Sequence, residues 1–197
     1  MAHIRQLRPS ARVLGIDPGL TRCGIGVVDV AADRSATLVH VGVVRSSPDA
    51  PIAERLATIA AGIRLILEEF SPAVVAVERV FAQQNRNTVM GTAQASGVAL
   101  LLAAEHGLPT ALHTPSEVKA AVTGYGSADK KQVQAMVARI LRLPELPQPA
   151  DAADALAIAL CHAWRGGGAQ GGSAAASGES MTPAQRAWRD AERLTRR

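Results

Sequence analysis

The stretch VLGIDPGLTRCGIGVVDV, residues 13–30, contains two apolar runs separated by turn-forming residues. The first run, VLGID, ends at Asp17 and is followed by Pro18 and Gly19, and the second, GIGVVDV, begins at Gly24. Short apolar runs bounded by Pro and Gly are typical of strands joined by a tight turn. The stretch therefore predicts a hairpin in which Asp17 ends the first strand.

The remaining elements follow from the pattern of apolar residues downstream. Residues 36–44 have β-branched character, and residues 73–77 (AVVAV) are wholly apolar, as expected for a strand with helices on both faces. A short strand is also predicted at residues 110–113. Apolar residues spaced by three and four positions, with prolines as stops, predict helices at residues 52–70, 87–105, 116–122, 128–141 and 150–164.

This order of elements predicts an α/β domain in which a mixed five-stranded sheet is flanked by helices. The domain is expected to span residues 13–165, after a basic N-terminal arm at residues 1–12. Residues 166–180 have the Gly, Ala and Ser composition of a flexible linker. Residues 181–197 are expected to form a short basic C-terminal tail, in which Thr182 and Pro183 resemble a helix N-cap and first helical position.

The positive charge of the chain lies at its ends. The pI is about 9.7, but residues 13–165 carry 13 Lys and Arg against 14 Asp and Glu. Residues 1–12 contribute +3 and residues 166–197 contribute +2, so the pI alone is weak support for a nucleic-acid partner. If four of the central acids bind metal, the remaining charge of the central region becomes +3, which suits a phosphate partner.

The cysteine pattern and the N-terminus predict the compartment. Cys23 and Cys161 have apolar neighbours and no CxxC spacing, and the N-terminus lacks the apolar run of a signal peptide. No stretch reaches the roughly 18 uninterrupted apolar residues of a membrane span. The sequence therefore predicts a soluble, cytoplasmic protein.

Four acidic residues stand where they can meet in the folded chain. Asp17 and Glu78 each end an apolar strand, and Asp151 and Asp154 are three residues apart at a helix start, on one face. Mg²⁺ prefers hard oxygen ligands, and two-metal phosphoryl chemistry needs several carboxylates from different elements. These four residues are therefore the candidate metal ligands and catalytic residues.

Each of these acids also has an ordinary structural explanation. An Asp before Pro-Gly often only forms a turn, and an Asp in the first helical turn often only complements the helix dipole. Glu78 is harder to explain in this way, because a Glu that continues AVVAV would be costly to bury without a partner. Position alone leaves both interpretations open.

Four segments resemble, in order, the motifs of RuvC resolvases, which belong to the ribonuclease-H-like superfamily. The first is GIDPGLTRCGIGVVD, residues 15–29, and the second is VAVERVFAQQN, residues 75–85. The third is GYGSADKKQVQAMV, residues 124–137, and the fourth is DAADALAIALCH, residues 151–162. Together they cover most of residues 12–165, and the tail from Gly166 lies outside the resemblance.

The resemblance implies a ribonuclease-H-like fold and a homodimer whose two active sites nick two like strands of a four-way DNA junction, or Holliday junction, during recombination and repair. It implies catalytic roles for Asp17, Glu78, Asp151 and Asp154, which would hold two Mg²⁺ or Mn²⁺ ions about 4 Å apart. The implied products carry 5′-phosphate and 3′-hydroxyl ends. A partnership with the RuvA–RuvB branch-migration complex is implied as well.

The resemblance assigns a second group of residues to DNA binding. Lys119 and Lys130 match family positions that approach the phosphates, and Phe81 matches an aromatic residue that can stack on an unpaired base at the junction centre. Arg79 and Arg86 are further candidates. From the residues alone, the lysines could equally belong to a solvated helix face and Phe81 to the core.

Three other functions fit part of the sequence. A strand ending in Asp-x-Gly also opens the phosphate-binding hairpin of actin-like phosphotransferases, but these need a second lobe for which the chain is too short. A ribonuclease-H-like nuclease acting on RNA or RNA–DNA hybrids would share the carboxylates. A junction-binding protein without enzymatic activity would have no reason to keep a costly acidic cluster facing DNA.

Overall fold

The computed structural model describes residues 11–80 and 86–166, in which five helices flank one five-stranded sheet. The strands are β1 (Ala11–Asp17), β2 (Arg22–Val30), β3 (Ala36–Arg45), β4 (Val74–Glu78) and β5 (Thr110–His113). The helices are α1 (Ile52–Phe70), α2 (Arg86–Glu105), α3 (Pro115–Thr123), α4 (Lys130–Ile140) and α5 (Ala150–Gly166). None of these helices is both long and apolar enough to cross a membrane. The predicted α/β fold with a mixed five-stranded sheet is confirmed.

The sheet combines an antiparallel half with a parallel half. Its strand order is β3-β2-β1-β4-β5. β1, β2 and β3 are antiparallel neighbours, whereas β4 runs parallel to β1, and β5 runs parallel to β4. Because β1 and β4 are parallel neighbours, their carboxyl ends lie at the same edge of the sheet.

Alternate residues of β1 and of β4 feed two separate hydrophobic cores, as the pleat of a strand requires. Leu14 and Ile16 of β1 belong to the core under α1 and α2, which also contains Ile59 and Ile63. Val13 belongs to the opposite core, which is formed with α3, α4 and α5. The sheet is thus covered on both faces, in agreement with the sequence of β4, which is apolar except for its terminal Glu78.

α5 packs unusually close to the sheet because small residues meet on both sides. A Cβ at Gly15 of β1 would overlap the carbonyl oxygen of Ala155, and one at Gly24 of β2 would overlap the carbonyl oxygen of Asp151. A Cβ at Gly26 would lie 2.6 Å from the backbone nitrogen of Leu156. Glycine in a strand often marks such a close approach of another backbone. These glycines set the position of α5 across β1 and β2.

Most element boundaries agree with the sequence predictions to within two residues, and two segments need correction. Ala11 and Arg12, assigned to the N-terminal arm, are the first residues of β1. Arg12 donates hydrogen bonds of 2.8 Å to both carboxylate oxygens of Asp29 on β2. Gly166, assigned to the linker, is the last residue of α5. The rest of the predicted arm, linker and tail lies outside the described residues.

Both cysteines are buried and neither forms a disulfide. Burial raises the pKa of the Cys23 thiol to about 12 and that of Cys161 to about 11. A thiol that stays protonated at neutral pH is a poor nucleophile. The cysteines are therefore core residues and not candidates for catalysis.

Candidate active site

Asp17 and Glu78 are brought together by the register of two parallel strands. Ile16 of β1 pairs with Val77 of β4, and the next residue of each strand is the acid. Both acids are partly buried. They lie close enough for the negative charge of Glu78 to raise the pKa of Asp17.

Asp151 and Asp154 reach the same place from the start of α5. One carboxylate oxygen of each lies within 4.8 Å of the other and of a carboxylate oxygen of Asp17. Glu78 lies outside this closest group, but it lines the same cavity as Asp154. The structure thus gathers all four acids that the sequence singled out, while their catalytic role stays a prediction.

The acidic group carries more negative charge than its surroundings balance. Burial, followed by the charges of Glu78, Asp154 and Asp151, raises the pKa of Asp17 to about 8. Burial and the charge of Asp154 also raise the pKa of Glu78, although Lys130 and Lys119 act in the opposite direction. Carboxylates that attract protons in this way also attract a divalent cation.

Among the described residues, two cations form ion pairs with the acidic group, and both contact the acids of α5. Nζ of Lys130 lies 2.6 Å from Oδ2 of Asp154, and Nη2 of Arg22 lies 2.6 Å from Oδ2 of Asp151. Within residues 11–80 and 86–166, no ion pair involves Asp17 or Glu78. The positive charge is therefore distributed unequally between the strand-end acids and the helix-start acids.

The donor set fits a divalent metal ion. Three carboxylates from β1 and α5 offer hard oxygen ligands within 4.8 Å of one another. Oδ2 of Asp151 is buried and accepts no hydrogen bond, since its contact with Arg22 lacks hydrogen-bond geometry. A buried carboxylate oxygen without such a partner is costly. A metal ion at this position would complete its coordination.

A cavity of about 200 Å³ lies beside the acids, between α3, α4 and α5. Glu78 and Asp154 line it together with Lys119 and Lys130. Lys130 is held at the first position of α4 because Asp129 and Gln132 cap that helix reciprocally. The remaining lining is mostly apolar and consists of Pro115, Val118, Val133, Ala157 and Ile158. The structure thus brings the two predicted phosphate-binding lysines next to the acids.

The other predicted DNA-binding residues are Arg79, Phe81 and Arg86. Arg79 is exposed, and its backbone N–H donates a hydrogen bond of 2.8 Å to the carbonyl of His113. Phe81 lies outside the described residues. Arg86 begins α2, but the description does not extend to its side chain.

Sequence reasoning missed the two residues of β2 that touch Asp151. Arg22 contacts its carboxylate and Gly24 its backbone, and the two alternate along the strand and so share a face. Both were part of the first motif, but neither was singled out. The glycines of the run GIG, residues 24–26, and the many alanines of α5 were the sequence signal that could have predicted this close packing. The contact of Arg22 had no such signal, because it joins elements far apart in the sequence.

Comparisons of sequence agree with the motifs. Residues 13–162 match the family described as Crossover junction endodeoxyribonuclease RuvC. The protein of that name from Leifsonia xyli is 67% identical over 195 residues, which cover 94% of this chain and 94% of that protein. The one from Clavibacter michiganensis is 61% identical over 198 residues, covering 94% of this chain and 98% of that protein.

Comparisons of structure agree as well. RuvC from Thermus thermophilus, solved in complex with Holliday junction substrate, superposes with a TM-score of 0.75 at 42% identity, covering 79% of this chain and 94% of that one. The yeast mitochondrial Holliday junction resolvase Ydc2 superposes with a TM-score of 0.57 at 15% identity, over 82% of this chain and 83% of that one. The second likeness concerns the fold alone. The predicted ribonuclease-H-like fold is confirmed.

Proposed function

We propose, since the chain belongs to the RuvC family of crossover junction endodeoxyribonucleases, that it is a Holliday-junction resolvase. It would make paired nicks in like strands of four-way DNA junctions during recombination and repair, and leave 5′-phosphate and 3′-hydroxyl ends. The observation that carries this function is the meeting of Asp17, Asp151 and Asp154 within 4.8 Å, with Glu78 beside them. The junction bound to the Thermus relative supports the choice of substrate.

The catalytic residues are Asp17, Glu78, Asp151 and Asp154, and they would hold the metal. Nucleases of this family are metal-dependent, and we propose Mg²⁺ as the ion, two per active site, with Mn²⁺ as a substitute. When bound, such ions lower the pKa of the attacking water and offset charge on the leaving oxygen. The acids themselves fix where the ions sit, because β1, β4 and α5 are held by strand pairing and by the glycine contacts.

Lys119 and Lys130 are the groups of this chain that would orient the DNA. They line the cavity that Glu78 and Asp154 border, so a phosphate drawn to the lysines arrives next to the acids. Without metal, the negative charge of the acidic group would repel the same phosphate. Metal loading should therefore ease the approach of the scissile phosphate to the acids. Arg79 and Arg86 are proposed as weaker contacts to the backbone.

We propose that the protein acts as a homodimer formed through one face of α2. Met90, Ala93, Gly97 and Leu101 recur at helical spacing, and all four are exposed. Met90 and Leu101 have 65% and 58% of their surface exposed, and a Cβ at Gly97 would meet nothing within 4 Å. An apolar stripe that includes a glycine leaves room for the backbone of a second helix. The occupant proposed is a second copy of the chain.

The oligomeric state can be measured by sedimentation equilibrium. Leu101→Glu places a charge within the stripe and should convert the dimer to a monomer. Leu65→Glu is the matched control, since Leu65 on α1 is equally exposed at 63% but lies outside the stripe. A dimer that persists in Leu101→Glu would exclude this face of α2 as the interface.

The substrate class is tested by incubating the protein and Mg²⁺ with a synthetic four-way junction, a DNA duplex and an RNA–DNA hybrid. Paired nicks in the junction, with the duplex largely intact, are expected. Preferential cutting of the hybrid would instead indicate a ribonuclease. Hydrolysis of ATP without nucleic acid would favour the actin-like alternative.

Phe81 is proposed to stack on a base at the opened junction centre. Stacking on an aromatic side chain contributes about 1–3 kcal/mol, so Phe81→Ala should cut an intact junction at least about tenfold more slowly. Phe81→Trp should retain most activity, and a junction with unpaired central bases should partly rescue Phe81→Ala. If Phe81→Ala instead melts markedly lower and loses binding and cutting together, Phe81 is a core residue. The RuvA–RuvB partnership and the cytoplasmic location stay predictions.

A further inference from the structure

Arg22 of β2 contacts one of the four acids, although the proposed mechanism gives it no role. Its guanidinium lies 2.6 Å from Oδ2 of Asp151, the buried oxygen that accepts no hydrogen bond. The contact is therefore one of charge without a directed hydrogen bond. The Arg22 side chain is 44% exposed, whereas that of Asp151 is 24% exposed. The arginine is thus the more solvent-exposed partner of the two.

Arg22 and Lys130 supply positive charge to the acidic group, as a bound metal ion would. Oxygen atoms of three carboxylates lie within 4.8 Å of one another. Such carboxylates repel one another unless positive charge is added. Lys130 makes the equivalent contact at the second acid of α5, Asp154. Together the two side chains bring two positive charges, the charge of one Mg²⁺ ion.

We propose that Arg22 is a positioning residue that stands in for the metal: it holds Asp151 in the metal-free protein and gives up Oδ2 when a divalent ion binds. This role rests on the proposed metal centre. Arg22 keeps the start of α5 beside β1 and β2 while the site is empty of metal. It also competes with the metal, so that the site binds its ion less tightly than the four acids alone would allow.

The proposal gives two effects of opposite sign for Arg22→Gln, which keeps a polar side chain but removes the charge. In EDTA the variant should melt at a lower temperature than the wild type, because the carboxylates lose a counter-charge. Titration calorimetry should show Mg²⁺ binding about three- to tenfold tighter, because removing one positive charge beside a divalent ion in a solvated site changes affinity by that order. Arg22→Lys should restore both values towards wild type.

Arg12→Gln is the matched control. Arg12 forms an ion pair with Asp29 at the other end of the β1–β2 pair, 2.8 Å apart, and this pair is also joined by two hydrogen bonds. Its loss should lower the melting temperature in EDTA and leave Mg²⁺ affinity unchanged. Comparing the two variants therefore separates the loss of stability caused by breaking any ion pair of β1 or β2 from a change in metal affinity at the site.

Three results would overturn the proposal. Weaker Mg²⁺ binding by Arg22→Gln would mean that Arg22 supports Asp151 in the metal-bound state. Unchanged Mg²⁺ affinity, with a smaller salt dependence of junction binding, would make Arg22 a phosphate contact. Absence of Mg²⁺ binding by the wild type would refute the metal centre itself, and this result is distinguishable because it does not depend on any variant.

Discussion

The two pairs of acids at the site differ in what supports them and in how their charge is balanced. Asp17 and Glu78 end neighbouring strands, so the sheet register fixes them, and no ion pair involves either within the described residues. Asp151 and Asp154 lie on α5, whose position depends on packing, and each touches a cation. The strand pair therefore leaves charge unbalanced, and the helix pair depends on the close approach of α5 to the sheet.

The largest effect is expected from amide substitutions in either pair. Replacing Asp17, Glu78, Asp151 or Asp154 by Asn or Gln should slow junction cutting by more than about a thousandfold, since even one oxyanion-hole donor accounts for about 10²–10³. Junction binding should stay largely intact, because metal ligation and DNA contact use mostly different groups. Cleavage assays and gel shifts on the same preparations measure both, and wild-type cutting by Asp17→Asn would refute the assignment.

A smaller effect should follow when only the packing of the helix pair is disturbed. In Gly24→Ala the new Cβ would collide with the carbonyl of Asp151, and the start of α5 must shift. A displacement of about 1 Å can slow catalysis about a hundredfold, so we expect a loss of about ten- to a hundredfold in cutting rate. Gly42→Ala on β3 is the control, since its Cβ would meet only the ring of His40. Equal cutting by the two variants would mean that α5 tolerates the collision.

The raised pKa values of Asp17 and Glu78 should make the stability of the metal-free protein depend on pH. The pKa of Asp17 is raised to about 8 in the folded protein, against about 3.9 in an unfolded chain. The folded state binds the extra proton between these values, so the stabilisation is present below pH 4 and is lost as pH rises through 8. Glu78 acts in the same direction.

This loss of stability is measured by thermal unfolding in EDTA at pH 5 and pH 8. The melting temperature of the wild type should fall by at least about 2 °C more than that of Asp17→Asn, since about 1 kcal/mol corresponds to about 2–4 °C for a chain of this size. Excess Mg²⁺ should remove the difference. A larger fall in Asp17→Asn than in the wild type would contradict the charge imbalance at the strand ends.

The smallest effect is expected from the C-terminal tail, which we propose lies outside the nuclease domain. Deleting residues 167–197 removes five Arg and three acids. Non-specific DNA affinity should fall modestly at low salt, and paired nicking should persist, because the four motifs end before the deletion. Junction cutting and filter binding at two salt concentrations measure this. Loss of all cutting would assign the tail to the domain that carries both acid pairs.

The two pairs also differ in how far they could be predicted from the sequence. Asp17 and Glu78 follow from local signals, because each is the acidic residue that ends an apolar run of sequence. The i, i+3 spacing of Asp151 and Asp154 gave their shared face, but the place of α5 depends on contacts with Gly15, Gly24 and Gly26. Arg22 lies 129 positions before Asp151, so no local pattern could join them. Contacts between distant elements are fixed only by the assembled fold.

The most direct test of whether the two pairs form one metal centre is a calorimetric titration with Mn²⁺ of the wild type, Asp17→Asn and Asp154→Asn. If strand and helix acids share the metal, both variants should bind Mn²⁺ more weakly by well over about tenfold, since even outer partners of metal ligands contribute about 10–100-fold. Wild-type affinity in either variant would show that one pair binds the metal without the other, and would contradict a shared centre.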